Sequence, residues 1–395
     1  MKKIAFFMSA LALAAFSFIS CEKEGTGNNN GGEDEIVLDG VYVYGEATCL
    51  DKLTEKGMFA KALNENDNLA VVAGLWEKYV ALEGGKPFVI AEVKSGVATE
   101  YGADVLAPVE TIGSDSSISG VTVTEGTFKA GSTFTVEKSG MYHVVVYTLN
   151  KKISIIPVAE WTMNANGVPT EKEDGTTEWN RTLKADFNKE KMVFSLAGAH
   201  MLSTFKFQYG NGWKYTIDDT VTPVIKVGTN FGASEVKFDG SSNALQTCGA
   251  DIKVPRPSKA IYTVELVWEM AKGLGYTLKF TKTGTLELQD PATYTLGLVG
   301  SITEWSSDIP FTYVAGSNWS YEIASQTIPA GAEIKVRTVG RWNDINLGYN
   351  DVTITGDKAN FSDKGGNICC ATEATYKITL TYDGNADAWT LNFAK

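Results

Sequence analysis

The chain has few of the residues that most often bind metals or act as catalytic bases. Of its 395 residues only two are histidines, His143 and His200, and both lie in segments with the pattern of a β-strand. Five cysteines are present, but no Cys-x-x-Cys or Cys-x-x-His motif occurs, so we predict neither a zinc site nor a cofactor. We interpret both histidines as structural residues.

Basic residues are also fewer than acidic residues. The chain has 47 acidic and 35 basic side chains, a formal net charge of −12, which argues against nucleic acid and against a polybasic contact with a membrane. Although carboxylates are numerous, none stands in a recognisable catalytic setting. Small repeats leave little room for a glycosidase cleft, in which two carboxylates face each other. We therefore predict that the protein is not an enzyme.

Helical periodicity is weak along the whole chain. Residues 50–63 and 71–79 have room for a helical turn or two, whereas long Thr/Val/Ile alternations favour β-sandwiches. Apolar and polar residues alternate over residues 376–382, which predicts a strand with one face on a core. Residues 388–393 repeat the pattern with Trp389, Leu391 and Phe393 facing inward, and the polar residues between the two runs predict a hairpin.

The N-terminus has the pattern of an export signal. Lys2 and Lys3 precede an apolar run over residues 4–19, which is as long as a secretory h-region and short for a membrane-spanning helix. We predict a signal peptide over residues 1–20 and a flexible tether over residues 21–35, which has too few apolar side chains to fold.

Cys21 stands at the junction of these two segments and resembles the lipid-modified cysteine of a bacterial lipoprotein. The charges that follow it resemble the surface-export signal of Bacteroidetes lipoproteins. This resemblance implies a lipid-anchored protein of the outer membrane, exposed at the cell surface. Phe18 stands where the usual lipobox has leucine, so ordinary cleavage nearby with an unmodified Cys21 is the alternative.

The four remaining cysteines, Cys49, Cys248, Cys369 and Cys370, fall in three different repeats. Cys369 and Cys370 point to opposite faces if their segment is extended. We expect free buried thiols, with a strained bond between the two neighbours as the alternative.

An apolar-alternating strand with a tyrosine occurs three times. Its tyrosines are Tyr142, Tyr262 and Tyr376, so they stand 120 and then 114 residues apart, the size of one sandwich domain. We predict an all-β fold of tandem immunoglobulin-like or carbohydrate-binding β-sandwich domains. The predicted domains cover residues 36–158, 159–287 and 288–395.

Two loops of the third repeat carry the side chains that a sugar receptor needs. A pyranose ring has apolar C–H faces and a hydroxylated rim, so it is recognised by a flat aromatic platform with polar groups at its edge. The first loop, residues 301–308, contains Trp305. The second, residues 337–346, has a tryptophan among polar residues and no apolar neighbours that would bury it. Its candidate binding residues are Arg337, Arg341, Trp342, Asn343 and Asp344.

The third repeat resembles the starch-binding modules of SusE and SusF outer-membrane lipoproteins. The resemblance is carried by residues 298–300 with a tryptophan shortly after, by the strand 334–337 leading to Trp342, and by residues 366–368 and 374–380. It implies tandem modules on a lipid anchor that hold polysaccharide near a TonB-dependent transporter and a SusD-like protein. Trp305 and Trp342 correspond to the stacking aromatics of that family, and the basic contact falls on Arg337 or Arg341.

The other two repeats depart from this pattern. Repeat 2 retains Trp213 and Lys214 after Tyr209 in the loop that matches Trp342, which makes these three residues candidates for a second site. Its opening segment has no equivalent of Trp305, although Trp161 or Trp179 could serve instead. Repeat 1 has neither tryptophan, and we predict that it is a spacer without affinity for sugar.

Most other tryptophans are expected in the core: Trp76, Trp179, Trp268, Trp319 and Trp389. The sequence therefore predicts a non-catalytic cell-surface lipoprotein that retains a polysaccharide, with an α-glucan favoured, for uptake. A structural or adhesin-type surface protein and a glycoside hydrolase are the alternatives.

Overall fold

Period-two alternation of apolar residues produces a protein made of strands. The computed structural model describes residues 38–164, 168–255, 258–286, 293–317, 319–342, 345–384 and 388–395. None of these residues lies in an α-helix, which confirms the predicted all-β fold. Short 3₁₀ turns occupy Glu55–Gly57, Ser114–Ser116, Ser301–Thr303, Tyr349–Asp351 and Lys358–Asn360.

The N-terminal sheet is antiparallel, with strand order β1-β4-β5-β6-β8-β7-β3-β2. Its strands are β1 Gly40–Tyr44, β2 Ala60–Asn64, β3 Ala70–Leu82, β4 Val89–Lys94, β5 Val97–Ile112, β6 Ser119–Ala130, β7 Gly140–Tyr147 and β8 Lys152–Val158. A bridge between Tyr42 and Met58 connects β1 to the segment leading into β2, so the sheet curves until its edges meet. The suggested helical pattern over residues 71–79 was wrong, because this stretch lies inside β3.

The middle sheets use strands from residues 160–285. These are β9 Glu160–Asn164, β10 Thr170–Glu171, β11 Thr177–Glu178, β12 Thr182–Lys184, β13 Lys191–Met201, β14 Lys206–Gln208, β15 Lys214–Asp218, β16 Ile225–Gly228, β17 Asn230–Gly232, β18 Asn243–Ala244, β19 Gln246–Thr247, β20 Ala260–Glu269 and β21 Tyr276–Thr285. Strands β15 and β16 form a separate two-stranded sheet, with one isolated bridge from Lys214 to Ser117, and the others form one larger sheet.

The C-terminal sheets use strands from residues 296–394. These are β22 Leu296–Gly300, β23 Ile309–Pro310, β24 Thr312–Tyr313, β25 Ser320–Ile328, β26 Glu333–Thr338, β27 Asn346–Leu347, β28 Val352–Gly356, β29 Phe361–Lys364, β30 Asn367–Cys370, β31 Ala374–Asp383 and β32 Ala388–Ala394. One sheet has the order β23-β22-β26-β30-β29 with β27 beside β26, and the other has the order β24-β25-β31-β32-β28. Their inner faces enclose a core of their own.

The predicted C-terminal hairpin is confirmed. Strands β31 and β32 pair antiparallel from Lys377 opposite Ala394 to Asp383 opposite Ala388. The tyrosine and aliphatic members of the alternation in β31 are buried, as are Leu391 and Phe393, while Trp389 packs half-buried against the same core. Each face follows from the alternation because successive side chains of a strand point to opposite sides.

The N-terminal and middle sheets share one hydrophobic core. Tyr79 of β3 lies at the junction, with its ring centroid 5.2 Å from that of Tyr276 and 5.9 Å from that of Trp161. Trp161 is fully buried there, so it offers no platform to a ligand.

His143 is also fully buried and structural. Its ring nitrogens form hydrogen bonds with Glu77 Oε2 at 2.9 Å and with the Tyr209 hydroxyl at 2.8 Å.

The tryptophans predicted to be in the core have different outcomes. Trp268 and Trp319 are buried, and Trp76 and Trp389 pack half-buried against the core. Trp179 is 69% exposed, so its assignment to the core was wrong. It directly follows the two-residue strand β11, which pairs with β10 at the rim of the middle sheet, and its sequence neighbours Glu178 and Asn180 are polar. Cys49, Cys248, Cys369 and Cys370 are all free, and among them Cys370 is fully buried.

A buried lysine connects the N-terminal and middle sheets. The Lys78 ammonium donates hydrogen bonds to the carbonyl oxygens of Met58 at 3.1 Å, Ala271 at 2.7 Å and Gly273 at 3.0 Å. We expect Lys78→Met to lower the free energy of unfolding by about 1–3 kcal/mol, because methionine fills the volume but leaves these acceptors unsatisfied. Chemical denaturation measures the change. Lys94→Met, at a 72% exposed side chain, is the control and is expected to have little effect; equal stability of the two variants would contradict the prediction.

Candidate functional site

The candidate site lies on the outer face of the sheet that contains β22 and β26. Ile334 and Val336 point inward to the C-terminal core, so Arg337 points outward on β26. Its direct partner on β22 is Gly297. Although it lies on the outer face, Arg337 is only 4% exposed, because loops on both sides cover it.

Asp308 holds the Arg337 guanidinium with two parallel hydrogen bonds. Arg337 Nε donates to Asp308 Oδ1 at 2.7 Å, and an Nη donates to Oδ2 at 2.9 Å. Burial opposes ionisation of the carboxyl, but the bonds from Arg337 and from the Gly340 N–H outweigh it and lower the pKa of Asp308. The same pairing raises the pKa of Arg337. A bidentate pair between two nearly buried groups fixes the guanidinium plane in one orientation.

Glycine at position 297 permits this ion pair. A Cβ atom there would lie 2.6 Å from the Cβ of Asp308, which is closer than two non-bonded carbon atoms can approach. Any larger side chain would push Asp308 away from Arg337. The small residue on β22 therefore determines where the carboxylate can lie.

Trp342 lies over the fixed guanidinium. The Arg337 Cζ atom is 4.2 Å from the centroid of the Trp342 ring, a distance typical of a cation–π contact. A tight turn brings the tryptophan there: the Arg341 N–H donates to the Thr338 carbonyl at 2.9 Å, and Gly340 has a φ of +71° that favours glycine. Trp342 remains 44% exposed, which confirms that this tryptophan is not buried.

Trp305 completes a two-tryptophan surface, which we call the indole pair (Trp305 and Trp342). The ring centroids are 6.2 Å apart, with 38° between the planes. Trp305 has a φ of +59°, which is rare for a bulky residue, and its backbone N–H donates a hydrogen bond to the Gly300 carbonyl at 2.9 Å. Strained backbone of this kind is often found at binding sites. Two loops 37 residues apart in sequence thus place their aromatic rings side by side.

The remaining predicted residues of this site have varied positions. Arg341 is exposed directly beside Trp342. Asn343 and Asp344 lie outside the described residues. The sequence analysis did not single out Asp308 and Gly297, although an arginine within a strand is a signal that a carboxylate lies nearby. It also missed Asn346 of β27, which lies opposite Arg337 of β26 in the sheet. The side-chain oxygen of Asn346 is buried and has no hydrogen-bond partner among the described residues.

Of the residues of the second predicted site, Tyr209 lies in the shared core, whereas Trp213 and Lys214 are half-buried. Tyr209 is 1% exposed, with its hydroxyl bonded to His143. The Trp213 N–H donates to the Ser116 carbonyl at 2.9 Å, and the Lys214 carbonyl accepts from the Ile118 N–H at 3.0 Å. This loop docks on the N-terminal sheet because its two glycines allow close approach of the backbones.

The pKa of Asp308 predicts how the site responds to acid. Because the pKa is lowered on folding, Asp308 contributes stability above its ordinary value of 3.8 and loses it as the pH falls below that value. We expect the contribution of the Asp308–Arg337 pair to the free energy of unfolding to be constant from pH 8 to pH 5 and to fall below about pH 4. Denaturant titration followed by tryptophan fluorescence at each pH measures this, and a loss centred near neutrality would contradict it.

Comparison with known proteins finds little similarity. No protein family matches this chain, and no curated protein matches it. Among solved structures, the chain is similar to the crystal structure of SusF from Bacteroides thetaiotaomicron, with 13% identity over 82% of this chain and 77% of that chain and a TM-score of 0.26. A TM-score of this size carries no argument about the site, so we base the function on the geometry of the described residues.

Two further observations concern metals and membranes. Within the described ranges, His, Cys, Asp and Glu side chains form no group that could hold a metal ion. No helix of the same ranges combines the length and apolar character needed to cross a membrane.

Proposed function

We propose that the C-terminal sheets bind a polysaccharide without cleaving it, through the indole pair. The observation that carries this proposal is the exposed Trp342 beside Trp305, supported from below by the buried Arg337–Asp308 pair. An aromatic surface fixed by a buried ion pair is organised before a ligand arrives. Less entropy is then lost on binding.

The chemistry of the surface suits a sugar. The two rings offer flat apolar area to the C–H faces of adjacent sugar residues, and exposed Arg341 supplies donors to hydroxyl groups at the edge. If each sugar face buries roughly 50–80 Å², stacking contributes about 1–2 kcal/mol per ring at about 25 cal/mol/Å². A single site is then weak, and it becomes useful when a long polymer engages several tethered copies.

We further propose that the protein acts at the cell surface. Cys21 would carry the lipid, and residues 22–35 would form the tether between the lipid and the folded sheets. Retained glycan would pass to a TonB-dependent transporter with its SusD-like partner. An α-glucan is the favoured ligand.

Affinity electrophoresis tests the proposed function. The chain from residue 36 onward is run in gels that contain starch, pullulan, dextran or a panel of plant and host glycans. We expect retardation in at least one gel. Migration unchanged by every glycan would favour a structural or adhesin-type protein, and release of reducing sugar would indicate a hydrolase.

A further inference from the structure

A cleft lies between the N-terminal sheet and the β15–β16 hairpin, away from the indole pair. One wall is the end of β5 and the middle of β6, the floor includes β8, and the opposite wall is the β15–β16 hairpin. Its volume is about 800 Å³. Sites for small ligands typically measure roughly 300–1,000 Å³ and often occur where domains meet.

Backbone hydrogen bonds between the walls keep the cleft open. The Ser119 N–H donates to the Gly210 carbonyl at 2.8 Å, and the Ile118 N–H donates to the Lys214 carbonyl at 3.0 Å. Both bonds connect the N-terminal sheet to the middle part of the chain. Because these two parts also share one hydrophobic core, the cleft does not depend on a ligand to form.

Glu125 provides an available acceptor in this cleft. Its Oε1 atom accepts hydrogen bonds from the Tyr215 hydroxyl at 2.7 Å and from Ser154 at 3.2 Å. Tyr215 comes from the middle part of the chain, so this contact crosses the cleft. Across the described ranges no group bonds to the Oε2 atom of Glu125, and no cation lies within 4.0 Å of the carboxylate.

The two lysines that line the cleft are paired with carboxylates, whereas Glu110 and Asp219 also line it and have no cation within 4.0 Å among the described residues. Lys152 pairs with Asp218 at 3.1 Å, and Lys226 pairs with Asp115 at 2.5 Å. A strongly charged ligand would therefore meet groups of both signs, whereas a neutral ligand with many hydroxyl groups can both donate and accept here. Ile112, which is 86% exposed, adds apolar surface of the kind that sugar C–H groups contact.

We propose that this cleft binds a short neutral oligosaccharide, whose hydroxyl groups donate to Oε2 of Glu125 and whose C–H groups contact Ile112. The inference rests on the proposed function for its ligand class, but it uses other residues. It also makes the N-terminal sheet part of a binding site rather than a spacer.

Methyl NMR and calorimetry test the proposal on the chain from residue 36 carrying Trp342→Ala, which disables the indole pair. The probes are maltotetraose, cellotetraose, mannotetraose and xylotetraose. At least one should bind with one site per chain and shift the methyl signals of Ile112 and Ile153, which line the cleft, but not that of Ile323 in the C-terminal core.

Adding Glu125→Gln should weaken binding about tenfold, because the amide cannot replace a charge-assisted acceptor. Glu137→Gln, an exposed site elsewhere on the same part of the chain, is the matched control and should have no effect.

The outcomes separate the two proposals. If wild type binds a probe and Trp342→Ala removes all binding, the indole pair functions and the cleft proposal is wrong. If binding survives Trp342→Ala unchanged and is weakened by Glu125→Gln, the cleft functions and the indole pair does not. Absence of binding by wild type to every probe, in solution and in glycan gels, would overturn both. Binding that Glu125→Gln leaves unchanged would also overturn the cleft proposal.

Discussion

Replacing Trp342 with alanine is expected to reduce retardation by glycan gels strongly and to raise the Kd of the indole pair for an oligosaccharide about tenfold. The substitution removes one of the two stacking surfaces, about 1–2 kcal/mol of apolar contact, and about 1.4 kcal/mol corresponds to a factor of ten in Kd. It also removes the ring that covers Arg337, so the guanidinium becomes hydrated and less favourable to an apolar sugar face. Affinity electrophoresis and calorimetry measure both effects.

Two variants control for this result. Phe187→Ala removes an aromatic ring that is 38% exposed in the middle part of the chain, and it is expected to leave retardation unchanged. Trp342→Phe retains a smaller aromatic surface and should retain part of the affinity. Equal binding by wild type and Trp342→Ala, with both folded by near-ultraviolet circular dichroism, would contradict the role of the indole pair.

Replacing Asp308 with alanine is expected to destabilise the C-terminal sheets by about 3–5 kcal/mol, because it leaves the Arg337 guanidinium buried without a partner. The side chains of this pair are 5% and 4% exposed, so water compensates poorly for the lost carboxylate. Binding should fall together with stability, since Trp342 lies on the guanidinium that Asp308 orients. Thermal and denaturant unfolding measure the stability.

The control for Asp308 is an ion pair in the same sheets with exposed partners. Glu322→Ala removes the partner of Lys377, whose side chain is 53% exposed, and should cost less than about 1 kcal/mol. The double variant Asp308→Leu with Arg337→Met replaces both charges with apolar groups and should recover most of the stability but not the affinity. A double variant that bound glycan as wild type does would show that the ion pair supports the fold and not the ligand surface.

Local alternation was sufficient to predict several elements. The faces of β31 and the hairpin to β32 follow from residues 376–393, because a strand places alternate side chains on opposite sides whatever its neighbours are. The same reasoning predicted an exposed Trp342, since its sequence neighbours are polar. It failed at Trp179, where the alignment of repeats suggested a core position that the rim of the middle sheet does not provide.

The all-β fold, the absence of metal-binding motifs and the two tryptophan loops of the third repeat could all be predicted from the order of residues. The burial of Arg337, its pairing with Asp308 and the contacts by which Tyr209 and Lys214 join two parts of the chain could not. The physical reason is distance along the chain. Strand alternation depends on adjacent residues, whereas an ion pair across 29 residues and a core shared by two sheets depend on which strands become neighbours.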